Sequence, residues 1–154
     1  MLGIKIILVG RIRRGFRKEA FDYYLQKVKK YTRVELAVVK DIKESNIPLR
    51  LEKEADLVLE KIAPKDLVIT LDHKGKPLTS VDFSARLGKW QEDPGRSTCL
   101  IVGGAYGLSE RVKSGADMLM SFGPMTLPHE LAAIILVEQL YRALTIQKGH
   151  PYHH

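Results

Sequence analysis

The chain has 154 residues, enough for one domain with its own core and short for two. Hydrophobic residues make up 45%, which excludes a disordered chain, and 25 Lys and Arg against 18 Asp and Glu leave a net charge of +7, which favours an anionic partner such as nucleic acid, a membrane surface or phosphates. The single cysteine, Cys99, excludes an internal disulfide, and no apolar run reaches the ~18 residues of a membrane span.

The opening "MLGIKIILVGRIRRG" has too short an apolar core for a signal peptide and no small-residue cleavage site. Its "IKIILV" (4–9) reads as a buried first strand. "FRKEAFDYYLQKVKKY" (16–31) predicts an amphipathic helix with Phe16, Ala20, Tyr24, Val28 and Tyr31 on one stripe. "VELAVV" (34–39) is a second strand. Pro48 opens a helix over 48–63 with apolar residues at 51, 55, 58, 59 and 62. "DLVITL" (66–71) is a strand and "DHKGKPLT" (72–79) a loop, followed by a helix over 80–90 capped by Thr79 or Ser80. "TCLIV" (98–102) is a strand with Cys99 as a core filler of a reducing compartment. "GGAYGLS" (103–109) is a glycine-rich loop whose Ser109 caps the short helix "ERVKSGA". "MLMSF" (118–122) is the last strand, and "GPMTLPHELAAIILVEQLYRAL" leads into a long apolar helix. Five strands alternating with helices predict one α/β domain with a mainly parallel sheet covered on both faces.

In such a sheet ligands bind beyond the carboxyl ends of the strands. Three loops are expected there: "LDHKG", "GGAYGLS" and "SFGPMTLPH". Gly103, Gly104 and Gly107 are spaced G-G-x-x-G, which matches neither the dinucleotide fingerprint nor a phosphate-binding loop, so a tight turn competes with a ligand-approach reading. His129, beside Pro128 at a helix start, is read as a cap or packing residue or as a functional group. Glu138 and Arg142 stand at i, i+4, a solvated pair in an ordinary helix; in a helix apolar nearly all round they need partners if buried. The tail "KGHPYHH" is read as a disordered end or as an aromatic–imidazole group suited to RNA, and no spaced ligand set supports a metal. "RIRRGFRK" (11–18) and "KVKKYTR" (27–33) are solvated faces or nucleic-acid footprints.

Together "LDHKGKPLTS", "IVGGAYGLS", "MTLPHELAAIILVEQLYRA" and the terminal "PYHH", in that order and spacing, resemble the RlmH (YbeA) family of SPOUT-class methyltransferases acting on 23S rRNA. The likeness spans essentially residues 1–154, the amino-terminal "IKIILVGRIRRGF" included. The resemblance implies a SPOUT-type parallel-sheet α/β fold with a carboxyl-terminal trefoil knot, against the general rarity of knots. It also implies a homodimer, S-adenosylmethionine bound in the knot, and methylation of N3 of a pseudouridine in 23S rRNA of the ribosome; the cysteine usage and the lack of a membrane run or signal peptide read as a cytoplasmic chain, with no membrane and no metal expected. Carried over by position, the cofactor site falls on Leu71, Gly103, Gly104, Phe122, Gly123, Pro124, Met125, Thr126 and Leu127. The substrate side and catalysis fall on His129, Arg142, Tyr152 and His153, with the tail completing a site together with the partner chain. Leu71 and Leu127 sandwich the adenine while backbone groups read its edge. Arg142 holds a phosphate, polarises a base carbonyl or stabilises the deprotonated imide, and Tyr152 stacks on a base. His129 and His153 are the candidate general bases.

The chain departs from the family pattern in three places. Ala132-Ala133 stand where relatives often carry an Arg. Ser121-Phe122-Gly123-Pro124-Met125-Thr126 replaces S-L-S-x-M-T. His154 follows His153 where a Lys or Arg is usual. A non-catalytic ribosome- or RNA-binding module retaining the fold shares the basic charge, but the intact glycine and "TLPH" loops favour the enzyme. A flavodoxin-type binding domain lacks its nucleotide fingerprint.

Overall fold

The computed structural model describes residues 3–154 and contains five strands and five helices in strict alternation. They are β1 (Ile4–Val9), α1 (Phe16–Lys29), β2 (Val34–Val39), α2 (Ile47–Glu60), β3 (Leu67–Pro77), α3 (Ser80–Trp90), β4 (Thr98–Val102), α4 (Glu110–Ser114), β5 (Met118–Ser121) and α5 (His129–Gln147). The strands form one sheet in the order β2-β1-β4-β3-β5, every pairing parallel.

Strand alternation divides the core in two, because successive side chains point to opposite faces. Ile4, Ile6, Leu8, Leu100 and Val102 join α1, α3 and α5 on one face; Ile7, Val9, Cys99 and Ile101 join α2 and α4 on the other. All six residues of β1 are buried, and each such aliphatic side chain contributes on the order of 1.5–3 kcal/mol. Lys5 is buried among them. Its ammonium meets Asp66 Oδ2 at 2.6 Å and the Lys61 carbonyl at 3.0 Å. Burial alone disfavours this charge, but the hydrogen bond and charge of Asp66 prevail and raise the Lys5 pKa.

Helices start where the sequence provides caps: Asn46 accepts from Leu49 N–H, Thr79 from Asp82 N–H, and Ser109 from Val112 N–H. Two expectations need correction. The buried face of α1 is Phe21, Leu25 and Val28, whereas Phe16 is 71% exposed. Tyr24 and Tyr31 lie at the core margin, where a hydroxyl stays near water; the expected stripe thus straddles that boundary. The second is β3, which continues through the expected 72–79 loop as far as Pro77. Leu71 and Lys76 both pair with Met120, so Asp72 to Gly75 bulge outward before pairing resumes. The bulge crosses β5 so closely that a Cβ on Gly75 would stand 2.7 Å from the backbone of Leu119 and Met120. Glycine is the residue that this crossing admits. Ser121 Oγ lies 3.3 Å from the His73 carbonyl and ties the bulge to the end of β5.

Helix α5 packs between α1 and α3. It reaches that central position from the sheet edge, where β5 ends at Ser121.

Candidate active site

Because β4, β3 and β5 are neighbours in the sheet, the loops after β4 and β5 emerge on either side of the β3 bulge that replaces the expected third loop. After β4, Gly104 and Gly107 close a tight turn, with Gly107 N–H donating to the Gly104 carbonyl at 3.1 Å and Gly107 at φ +80°. A Cβ on Gly103 would stand 2.8 Å from the Gly107 backbone, so this turn requires glycine there. The turn reading of "GGAYG" therefore holds. Tyr106 at its tip is exposed and carries the Arg50 guanidinium over its ring, 4.9 Å from the centroid.

After β5, Ser121 Oγ accepts from Gly123 N–H at 2.9 Å and lies 2.7 Å from the Gly123 carbonyl, closing a turn with Gly123 at φ +118°. Leu71 and Phe122 pack on the core edge, Leu127 is half-buried, and Pro124, Met125 and Thr126 project to solvent, Met125 being 81% exposed. Apolar edges at Leu71, Phe122 and Leu127 beside the exposed turn 124–126 suit a flat apolar base. The residues present thus fit an adenosyl group.

The expected catalytic residues fall in two places. His129 begins α5 beside the carboxyl end of β1; a Cβ on Gly10 would come within 3.9 Å of its Nε2. Arg142 lies near the other end of α5, about 20 Å away at ~1.5 Å per residue. A single chain therefore does not bring His129 together with Arg142, Tyr152 and His153.

The latter three do meet, around Glu138. Arg142 donates to Glu138 Oε1 through Nε at 3.1 Å and Nη2 at 2.7 Å, and the Tyr152 hydroxyl donates to the same oxygen at 3.0 Å. Arg142 Nη1 stands 3.0 Å from His153 Nδ1. The guanidinium also lies 4.8 Å over the Tyr152 ring, whose other neighbour is Tyr141, with centroids 4.6 Å apart. The Glu138 hydrogen bonds raise the Arg142 pKa, with burial working against them, so the group is a fixed cation. Burial, then the bond to Glu138, raises the Tyr152 pKa, so the phenol stays protonated as a donor. The Glu138–Arg142 pair is partly buried and partnered rather than freely solvated.

The tail is docked, not loose. Gly149 N–H donates to the Ile146 carbonyl at 3.1 Å and His150 N–H to the Thr145 carbonyl at 2.9 Å, with Gly149 at φ +66°. This two-bond glycine stop turns the chain back over α5. "KGHP" after a helical run carries that signal in the sequence. Glu130 is a buried carboxylate next to His129 that the residue pattern did not single out. It accepts from Arg13 N–H at 3.3 Å and Arg17 Nη1 at 3.2 Å, fixing the start of α5 to the loop before α1. Its signal was an acidic residue in a first helical turn of a chain with an Arg-rich loop elsewhere. Among the described residues no cluster of three or more His, Cys, Asp or Glu is arranged for a metal, and no helix is long and apolar enough to cross a membrane.

A parallel α/β sheet with its loops gathered at the β4-β3-β5 ends, closed by a long apolar helix and a docked tail, defines a class. The chain belongs to the SPOUT methyltransferase family, whose description "predicted SPOUT methyltransferase" matches residues 2–153. Its relatives include the ribosomal RNA large subunit methyltransferase H of Solidesulfovibrio magneticus, 43% identical over 154 residues with both chains fully covered. The protein of the same name from Maridesulfovibrio salexigens is 37% identical, covering 100% of this chain and 99% of its own. That of Dictyoglomus thermophilum is 35% identical over 153 residues, covering 99% and 100%. Among solved structures, a probable methyltransferase from Bordetella pertussis Tohama I shares the fold with a TM-score of 0.57, at 13% identity over 92% of this chain and 93% of that one. A probable methylase family protein from Haemophilus influenzae Rd KW20 does so with a TM-score of 0.57 at 11% identity, covering 98% and 70%.

Proposed function

We propose that this protein is a cytoplasmic, homodimeric enzyme that methylates N3 of a pseudouridine in 23S rRNA of the ribosome, using S-adenosylmethionine. The observation that carries the reading is full-length similarity to relatives named as methyltransferases of large-subunit ribosomal RNA. The two strand-end loops beside the β3 bulge and the docked cationic tail agree with it. S-adenosylmethionine, when bound, supplies a methyl group already activated on a sulfonium, so alignment and proton removal are the tasks left to the chain.

Leu71 and Leu127 would hold the faces of the adenine. Gly103, Gly104 and the Phe122–Leu127 turn would present backbone groups to its edge and admit the methionine part. The knot expected of the family would thread residues 122–128 and α5 past the β3 extension. A second subunit would seat on the α5 stripe of Leu131, Ile134 and Ile135, exposed or half-exposed in the single chain and continuous with Glu138 and Arg142. That seating would bring the Arg142–Tyr152–His153 cluster of one subunit to the cofactor loops of the other, resolving the ~20 Å separation along α5.

In this arrangement Arg142, held by Glu138, would stabilise the charge that develops on the uracil ring as N3 loses its proton. Tyr152 already packs between Arg142 and Tyr141, so it would orient Arg142 and present its ring edge rather than sandwich a base. Arg142 donates to His153 Nδ1, which occupies that lone pair. The proton acceptor is accordingly assigned to His129 of the partner subunit.

The test is transfer of label from tritiated S-adenosylmethionine to large ribosomal subunits from a strain lacking the protein, with calorimetry of cofactor binding alongside. The enzyme gives binding heat and labelled rRNA. A non-catalytic RNA-binding module gives neither, and that outcome would overturn the reading.

A further inference from the structure

Two cavities lie at the β2-β1 edge of the sheet, beside the carboxyl ends of those strands. One, about 440 Å³, is floored by Leu8, Ile12 and Phe21 and walled by Leu36 and Val38 of the edge strand β2, with Arg11, Arg13, Arg14 and Lys18 around its rim. The other, about 650 Å³, shares Arg11, Arg13 and Val38 with the first and runs past Lys40 and Lys43 to His129. Leu36 and Val38 are 38% and 47% exposed, an uncovered apolar sheet face.

The charges are one-sided. Among the described residues Arg11, Arg14 and Lys40 take part in no ion pair. The acidic groups nearby are already matched, Asp41 by Arg50 and Lys43 and Glu130 by Arg17 and Arg13. A second copy of this chain docking here about a twofold axis would set the cationic rim against itself, which is unfavourable. Of the four rim cations Arg13 pairs with Glu130 and Lys18 with Asp22, and an apolar floor flanked by the free Arg11 and Arg14 guanidinium groups instead suits an unpaired nucleotide, its base on the aliphatic wall and its phosphates on those arginines. The run continues into Phe16, a ring 71% exposed at the start of α1.

We propose that this face is an additional RNA-binding surface that leads into the methyl-transfer centre at His129. It seats an unpaired nucleotide of the substrate rRNA in the Leu36–Val38 pocket and guides the adjoining backbone along Arg11, Arg13, Lys40 and Lys43 toward His129. The inference rests on the reading that the substrate is ribosomal RNA.

The test is fluorescence anisotropy of a short labelled oligouridylate titrated with the full-length protein over a range of salt. Arg11→Ala/Arg14→Ala is expected to weaken binding about tenfold and lower the salt slope by about 1.4, at ~0.7 per lost contact to a single strand. Arg11→Lys/Arg14→Lys is expected to keep the slope, and Val38→Ser to weaken binding at unchanged slope. Wild-type affinity and slope in Arg11→Ala/Arg14→Ala would overturn the proposal. So would a changed sedimentation coefficient for Leu36→Arg, which would mark the face as a contact between copies. Wild-type methyl transfer is assayed in parallel. Absence of transfer with arginine-dependent RNA binding sinks the enzymatic reading and supports this site, whereas transfer with arginine-independent binding sinks this site alone.

Discussion

Glu138 receives three donors on one oxygen, two from Arg142 and one from Tyr152, and its other oxygen takes Gln139 Nε2 at 2.8 Å. Arg142→Ala removes the cation without touching the loops proposed to hold the cofactor. Methyl transfer should fall by about 100-fold or more, the scale for loss of a group that stabilises developing charge, while S-adenosylmethionine binding by calorimetry is nearly kept. Unchanged transfer would remove Arg142 from the mechanism. Glu138→Gln keeps the shape but weakens the hold on Arg142, and should lower kcat more than it raises KM. The i, i+4 spacing made this pair legible in the sequence. The addition of Tyr152 and His153 was not legible from spacing, because it depends on how the chain reverses after α5. Cys99 was legible too: it is fully buried in β4, and burial pushes its thiol up to about 12. A thiol reagent at neutral pH should leave native protein unmodified and label it fully in denaturant.

At the scale of elements, two glycines decide what the periodicity left open. Gly149 adopts φ +66° at the α5 stop and sends the tail back to Glu138. Gly149→Ala should cost about 1 kcal/mol in urea unfolding and reduce methyl transfer further than that loss explains, since it undocks Tyr152 and His153. Gly75 lets the β3 bulge cross β5; Gly75→Ala places a methyl against backbone and should cost about 1–3 kcal/mol. Strand and helix identities followed from hydrophobic period and caps, which are local. The continuation of β3 through "DHKGKP" did not, since its partner is the sequence-distant strand β5, and polar residues in a bulge carry no alternation to read. The buried face of α1 was misjudged for a related reason: tyrosines count as apolar in a pattern, yet here they sit at the margin of the core.

For the whole molecule, alternation of five strands and helices sufficed for a two-faced parallel sheet. The order β2-β1-β4-β3-β5, which sets the loops after β4 and β5 on either side of the β3 bulge, is a long-range outcome that no single segment encodes. Buried ionisable groups also give the fold an alkaline limit. The Cys99 thiol moves from its ordinary 9.0 to about 12, so the unfolded chain loses this proton first as pH rises. Stability is intact below about pH 9 and should fall by up to about 1.4 kcal/mol per pH unit between there and about pH 12. Lys5, also raised and stabilised as a cation by Asp66, adds loss in the same direction. Urea midpoints measured across this range should decline less steeply for Cys99→Ala. The most direct test of the central claim is mass mapping of 23S rRNA from the source cells with and without this protein. The account predicts that one N3-methylated pseudouridine disappears on deletion and returns when the purified protein and S-adenosylmethionine are added to the ribosomes; a complete set of methylated pseudouridines in the deletion strain would contradict it.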